Sequence, residues 1–180
     1  MALMAATLFF ILERGSVSGK WKLSLTVATL ITGIAAIHYY YMKNVWIISS
    51  TSPTEIRYID WILTVPLMCI EFYLILKALG YVSKMVLYRL FGYSAGMLLF
   101  GYLGETMVMD AMIAFSIGML FWLLIIYEIF KGEAAKAMEM STHTKLKSTF
   151  KTLRLFVLVG WAIYPLGYYL GVSGSADLLN

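Results

Sequence analysis

Apolar and polar residues alternate along the chain in long blocks. Six apolar blocks span about residues 2–12, 23–42, 58–79, 86–103, 107–130 and 152–171, and short polar stretches separate them. A helix needs about 20 residues to cross a bilayer core of ~30 Å. Five blocks reach or approach that length. The pattern therefore predicts an all-α membrane protein with five full spanning helices and a short first helix.

The two ends of the sequence are abrupt. The first block stops at Glu13-Arg14 after about half the length of a spanning helix. A signal peptide is the alternative, but the block has neither a basic start nor a small-residue cleavage site. The tail GVSGSADLLN leads to no further apolar block. We expect residues 1–180 to form a single transmembrane domain that is truncated at both ends.

Composition excludes the soluble classes of protein. Of the 180 residues, 61% are hydrophobic and 13% are charged, whereas a soluble domain has about 25% charged residues. A soluble enzyme, a nucleic-acid-binding module and a disordered protein are therefore poor candidates. The single cysteine, Cys69, excludes a disulfide framework and a cysteine-based metal site within one chain.

Basic residues lie mainly at alternate connections between the blocks. Twelve of the fourteen flank the connections after blocks one, three and five: Arg14, Lys20, Lys22, Lys77, Lys84, Arg89, Lys131, Lys136, Lys145, Lys147, Lys151 and Arg154. Only Lys43 and Arg57 belong to the other side. Because Lys and Arg concentrate in cytoplasmic loops, the chain is predicted to be a multi-pass protein of the inner (plasma) membrane with its N-terminus outside, in the periplasm or extracellular space.

Two carboxylic acids interrupt the third apolar block. Asp60 and Glu71 are eleven residues apart, which is about three helical turns, so they share one face at a separation of ~16 Å. Thr64 lies one turn beyond Asp60 on that face. Ionisable groups at membrane depth usually face a cavity or the bundle interior. The layout fits a proton relay, and two interhelical hydrogen-bonding residues without transport remain the alternative.

The segments RYIDWILTVPL in block three and WAIYPLGY in block six resemble the microbial (type 1) rhodopsins, and among them the proteorhodopsins. The similarity runs along nearly the whole chain. It implies a bundle of seven transmembrane helices around all-trans retinal, which is bound as a protonated Schiff base to a lysine on the seventh helix. Since that helix lies outside the 180 residues, the Schiff-base lysine is expected on a missing segment.

The resemblance also implies roles for the polar residues of helix three. Asp60 matches the counter-ion and proton acceptor, Thr64 the middle residue of the functional triplet, and Glu71 the proton donor. Apolar neighbours of Glu71 favour its protonated form. Arg57 matches an arginine that tunes the acceptor and the release path, although a snorkelling interfacial arginine is the alternative. His38 matches a histidine that pairs with the acceptor, and a structural hydrogen-bond donor is the alternative.

The resemblance places a further set of residues around the retinal. The set comprises Trp61, Met68, Met97, Gly101, Trp122, Trp161, Tyr164, Pro165 and Tyr168. Four of them, Trp161, Tyr164, Pro165 and Tyr168, form a stripe along block six. Without the resemblance, such a stripe would indicate helix packing. Met68 occupies the position that tunes colour, where an apolar side chain implies a green absorber and glutamine a blue one.

The triplet Asp60, Thr64 and Glu71 resembles that of the family's outward proton pumps. The resemblance therefore implies a light-driven outward proton pump, which is an ion transporter and not an enzyme. The alternative is a sensory rhodopsin-type photoreceptor that signals to a partner protein, and Glu71 speaks against it because sensory relatives usually lack a carboxyl donor. A retinal-free membrane scaffold is a third possibility. The expected partners are the lipid bilayer, protons and, by resemblance, further copies in a pentamer or hexamer.

Glu105, Asp110, Glu128, Glu133 and Glu139 have no assigned chemistry, and we expect them to be solvated.

Overall fold

The computed structural model describes residues 1–80, 82–140, 142 and 144–172, and these residues are helical with short connections. The helices are α1 (Ala2–Ser16), α2 (Lys20–Ser49), α3 (Thr54–Leu79), α4 (Lys84–Glu105), α5 (Ala111–Phe130), α6 (Glu133–Met140), α7 (Thr144–Leu155) and α8 (Trp161–Val172). A π-helical turn, Phe156–Gly160, joins α7 to α8. The predicted all-α class is confirmed.

Five helical segments within the described residues are long and apolar enough to cross a membrane. They are Lys20–Ser49, Thr54–Ala78, Lys84–Glu105, Ala111–Met140 and Lys147–Gly167. The helix α1 has 15 residues, which agrees with the short first helix that the sequence predicts. Many large apolar side chains on these segments are exposed, for example Ile48 at 85% and Ile163 at 66%. Such surfaces suit contact with lipid and not with water.

The chain forms two compact units, residues 1–78 and 79–180. In the first unit, α1 packs on α2 where small residues meet. Thr7 donates a hydrogen bond from its hydroxyl to that of Thr32 over 3.0 Å, and a Cβ atom on Gly33 would lie 3.5 Å from the Thr7 methyl carbon. At the other end of the same pair, Arg14 Nε donates to the Thr26 hydroxyl over 2.7 Å.

In the second unit, α4 and α5 approach closely. A Cβ atom on Gly96 would meet the Phe121 ring at 2.7 Å, and this ring stacks on Phe100 with centroids 6.0 Å apart. Asp110 caps α5, because its Oδ1 accepts hydrogen bonds from the backbone N–H groups of Met112 and Ile113, both over 3.0 Å. The acid that the sequence left without a role therefore begins α5.

The stretch between blocks five and six is more ordered than the sequence predicts. It was expected to be a connection, but residues 133–140 and 144–155 form α6 and α7. The buried residues of α6 include Ala134, Ala137 and Met138, and Phe150 of α7 has no exposed surface. Burial of these apolar side chains explains why a charged stretch stays helical.

Candidate functional site

The candidate proton-transfer site is a buried carboxylate on α3. Asp60 is 2% exposed, and Thr64, one turn later, is 4% exposed. The Thr64 hydroxyl donates to the backbone carbonyl oxygen of Asp60 over 2.9 Å. The threonine thus satisfies its own hydroxyl within the helix and leaves the Asp60 carboxylate to other partners.

His38 of α2 lies beside this carboxylate. Its Nδ1 atom is 3.2 Å from Asp60 Oδ1 and 3.0 Å from the carbonyl oxygen of Ile34. One ring nitrogen carries at most one hydrogen, so it cannot point at both oxygens. Among the described residues Asp60 Oδ1 has no hydrogen-bond partner. We therefore assign the hydrogen bond to Ile34 and describe the contact with Asp60 as electrostatic.

Arg57 lies nearly one turn before Asp60 on α3, and its guanidinium group is held by one residue of the α2–α3 connection and by the first residue of α3. Nη2 donates to the hydroxyls of Ser52 over 3.2 Å and Thr54 over 3.1 Å. The Cζ atom lies 5.6 Å from the centroid of the Trp61 ring, a cation–π contact. Tyr58 meets the same ring edge-on at 5.1 Å. These contacts hold the positive charge in a fixed place near the start of α3.

Glu71 lies on the same helix, eleven residues and ~16 Å from Asp60. It is half-buried, and its neighbours in sequence, Cys69, Ile70 and Phe72, offer no charge. Met68 is also half-buried. The first unit thus carries two carboxylates on one helix, with a histidine and an arginine beside the first of them.

The remaining residues assigned to the retinal pocket belong to the second unit. Met97, Gly101, Trp122, Trp161 and Pro165 are half-buried, Tyr164 is 51% exposed, and the side chain of Tyr168 lies outside the described residues. The Met97 carbonyl oxygen and the Gly101 nitrogen would lie 3.7 and 4.0 Å from a Cβ atom on Gly118. Trp122 Nε1 is a buried donor for which the described residues supply no acceptor.

Sequence reasoning missed a second buried acid, Glu128. It was expected to be solvated, which is wrong, because the side chain is 3% exposed. Its Oε1 accepts hydrogen bonds from the backbone N–H groups of Glu133 over 3.0 Å and Ala134 over 3.3 Å, so it caps α6. Its Oε2 lies 3.5 Å from Arg89 Nη1. The same nitrogen lies 3.5 Å from Glu133 Oε2, so Glu133 is also paired.

The close approach of Glu128 to the chain requires glycine at position 132. A Cβ atom there would lie 2.7 Å from the Cα and Oε2 atoms of Glu128. Gly132→Ala should therefore lower the free energy of unfolding by about 1–3 kcal/mol, measured by thermal unfolding in detergent. Gly92→Ala is the control, because nothing lies within 4 Å of its added Cβ atom and alanine favours helix. Equal unfolding temperatures for the two variants would contradict this account of Gly132.

Comparison with known proteins shows which family and which relatives the chain resembles. Residues 1–179 match the family model described as bacteriorhodopsin-like protein. The green-light absorbing proteorhodopsin of Gamma-proteobacterium EBAC31A08 is 49% identical over 99% of this chain and 73% of its own length. The blue-light absorbing proteorhodopsin of Gamma-proteobacterium Hot 75m4 is 48% identical over 94% of this chain and 67% of its own.

A solved structure extends the likeness to the fold. The crystal structure of the blue light-absorbing proteorhodopsin from Med12 matches with a TM-score of 0.76 and 46% identity, over 94% of this chain and 75% of that one. The predicted resemblance and the rhodopsin bundle fold are thereby confirmed. The chain belongs to the bacteriorhodopsin-like family of microbial rhodopsins.

Proposed function

We propose that this chain is a light-driven outward proton pump of the proteorhodopsin type. The observation that carries the proposal is the buried Asp60 carboxylate, 2% exposed, with an oxygen that accepts no hydrogen bond from the described residues. A second carboxylate, Glu71, lies on the same helix. Relatives named proteorhodopsins that are 48–49% identical support the same function.

Asp60 is the proposed proton acceptor. An anionic carboxylate at this depth needs a positive partner, because a buried unpaired charge is costly. The Oδ1 atom accepts no hydrogen bond from the described residues, so it fits a cationic N–H group, which retinal attached to a lysine would present. Accepting a proton at Oδ1 neutralises the carboxylate and removes the need for that partner.

Retinal, when bound, supplies the polyene that absorbs light and whose isomerisation drives the cycle. The covalent attachment is proposed to be through a lysine of a seventh helix. The ten lysines of this chain lie in the polar connections or within about two turns of a helix end, and none lies on a middle turn of α3 near Asp60. The assignment of residues to the retinal pocket, which rests on the family resemblance, is part of the same proposal.

His38 and Arg57 are proposed to adjust the acceptor. Because His38 Nδ1 lies 3.2 Å from Asp60 Oδ1, a proton gained by the ring would stabilise the carboxylate anion. Arg57 is held by the Ser52 and Thr54 hydroxyls, so it supplies positive charge near the start of α3. Thr64 fixes the local helix geometry through the Asp60 carbonyl oxygen.

Glu71 is proposed to return a proton from the opposite side of the membrane. Its half-buried position among apolar neighbours favours a protonated acid that can donate. The predicted direction of transport, from Glu71 towards Asp60 and outward, follows from the placement of basic residues. An inner-membrane location with the N-terminus outside and assembly into a pentamer or hexamer belong to the same proposal.

The test is light-induced acidification of an unbuffered cell suspension. The chain is coexpressed with the seventh-helix segment of the green-light absorbing proteorhodopsin and supplied with all-trans retinal; we call this the complemented chain. Illumination should acidify the medium, and a protonophore should abolish the change. A coloured complex that bleaches and recovers without moving protons would overturn the pump and favour the sensory alternative.

Met68 gives a prediction about colour in the complemented chain. The green- and blue-light absorbing relatives are almost equally similar to it, at 49% and 48% identity, so overall likeness does not decide its colour. Met68→Gln places an amide dipole where a thioether stands and should shift the absorption maximum to shorter wavelength. Met68→Leu is the control and should leave the maximum nearly unchanged. An unshifted spectrum in the glutamine variant would remove Met68 from the tuning role.

A further inference from the structure

The stretch that contains α6 and α7 holds more basic residues than any other stretch of its length in the chain. Residues 131–154 hold six of its fourteen basic residues and two of its ten acids. One of those acids, Glu133, is paired with Arg89. The helix α7 itself has four basic residues and no acid. The surface is therefore positive and is not neutralised from within.

Two charged side chains of α7, Lys145 and Lys151, lie off its packed face. Phe150 has no exposed surface and marks the packed face, whereas Lys145 and Lys151 are exposed. At 100° per residue, Lys151 lies about 100° from Phe150 in one direction around the helix, and Lys145 lies about 140° from it in the other. The two ammonium groups thus have free access to a ligand.

A contact between α6 and α7 fixes the spacing of this surface. Lys147 Nζ donates a 2.7 Å hydrogen bond to the backbone carbonyl oxygen of Glu139, at the end of α6. The start of α6 is held in turn by the buried Glu128 carboxylate. The lysines of α7 therefore lie on a helix that is bonded to α6, and not on a free tail.

Lys147 and Lys151 lie at the start of a segment that is apolar enough to cross a membrane, Lys147–Gly167, and Lys145 lies two residues before it. Arg154 Cζ lies 4.8 Å from the centroid of the Phe130 ring, which ties the end of α5 to the end of α7. Lys151, Lys147 and Lys145 precede Arg154 by three, seven and nine residues, or ~4.5, ~10 and ~13 Å along a helix. Basic residues at the end of a spanning segment lie close to the lipid headgroups, and lysine side chains reach toward them along their apolar stems.

We propose that Lys145, Lys147 and Lys151 form a binding surface for the headgroups of anionic lipids at the membrane face where α5 ends. Lipid is favoured over a soluble acidic partner because Lys147 and Lys151 lie at the start of a candidate spanning segment and Lys145 two residues before it, where lipid phosphates are already concentrated. The proposal depends only on the membrane fold and does not require that the chain pumps protons. Each basic residue near an anionic membrane surface strengthens binding about fivefold, so three amount to ~10²-fold.

The proposal is tested on the purified 180-residue chain in detergent, with lipid retention followed by native mass spectrometry. Phosphatidylglycerol is titrated against phosphatidylcholine. The wild-type chain should retain phosphatidylglycerol ~10²-fold better than the variant Lys145→Gln/Lys147→Gln/Lys151→Gln. Lys145→Gln/Lys151→Gln leaves the Lys147 hydrogen bond in place and should still lose about 25-fold, so a folding defect can be told from lost binding.

The matched control is Lys20→Gln/Lys22→Gln/Lys84→Gln, which removes the same charge from exposed lysines that the alternation of helices predicts on the same membrane side. It should lose much less retention of phosphatidylglycerol than the triple α7 variant, because its lysines are divided between the starts of α2 and α4 and do not form one cluster. An equal loss in this control would reduce the effect to net charge and overturn the proposal. Equal retention of phosphatidylcholine, or displacement of the lipid by inorganic phosphate at matched concentration, would also overturn it.

Discussion

Asp60→Asn should abolish light-driven acidification by the complemented chain. The amide has nearly the shape of the carboxylate but cannot accept the proton, and general acid–base groups typically contribute 10²–10⁴-fold to the rate of proton transfer. We expect the initial rate of acidification to fall by at least ~10²-fold. The measurement is the pH change of an unbuffered suspension, normalised to the amount of pigment.

Two further variants separate lost chemistry from lost structure. Glu55→Gln removes an exposed carboxylate from the first turn of the same helix and should pump like the wild-type chain. Asp60→Glu keeps a carboxyl group and should retain part of the activity. Normal pumping by Asp60→Asn would remove Asp60 from the acceptor role, whatever its burial.

The arrangement around Asp60 was largely predictable because it depends on helix periodicity. Residues 60, 64 and 71 are separated by about one and two turns, so their common face follows from the sequence alone. The apolar blocks predicted the order of the spanning helices for the same reason. Their ends were less predictable: α2 continues to Ser49, seven residues beyond the predicted block, because the polar pair Lys43 and Asn44 does not interrupt the helix.

Glu128 was not predictable in the same way, because its partners lie in other elements. Its position near the end of an apolar block resembles that of an interfacial acid. Its burial depends on Arg89, which is 39 residues earlier, and on the α6 backbone N–H groups. A signal does exist in the pairing of an acid with a glycine four residues later, Glu128 and Gly132, which permits the chain to fold back over the carboxylate.

The π-helical turn at Phe156–Gly160 also left no clear sign in the sequence. Its residues, FVLVG, are apolar and would extend a regular α-helix equally well. A π-helical turn is rare and often occurs at functional sites. Here it directly precedes Trp161, the first residue assigned to the retinal pocket on α8. It therefore sets the direction in which the pocket residues of α8 face around the helix axis.

Glu71→Gln should slow the recovery of the complemented chain after a light flash. Without the internal acid, the returning proton must come from bulk water across the apolar part of α3, so recovery should slow by about 10²-fold. The measurement is the decay of the flash-induced absorbance change. In the variant the recovery rate should also rise in proportion to the external proton concentration, whereas in the wild-type chain it should depend weakly on pH.

The dependence on external protons distinguishes a donor from a merely structural residue. A packing defect at position 71 would alter the rate at every pH by a similar factor. A small membrane-permeant weak acid should restore fast recovery in Glu71→Gln, because it carries a proton to the place that the carboxyl group occupied. Glu71→Asp retains an acid and should recover faster than the glutamine variant. If recovery in Glu71→Gln were as fast as in the wild-type chain and equally insensitive to pH, Glu71 would not be the donor, and the relay along α3 would begin elsewhere.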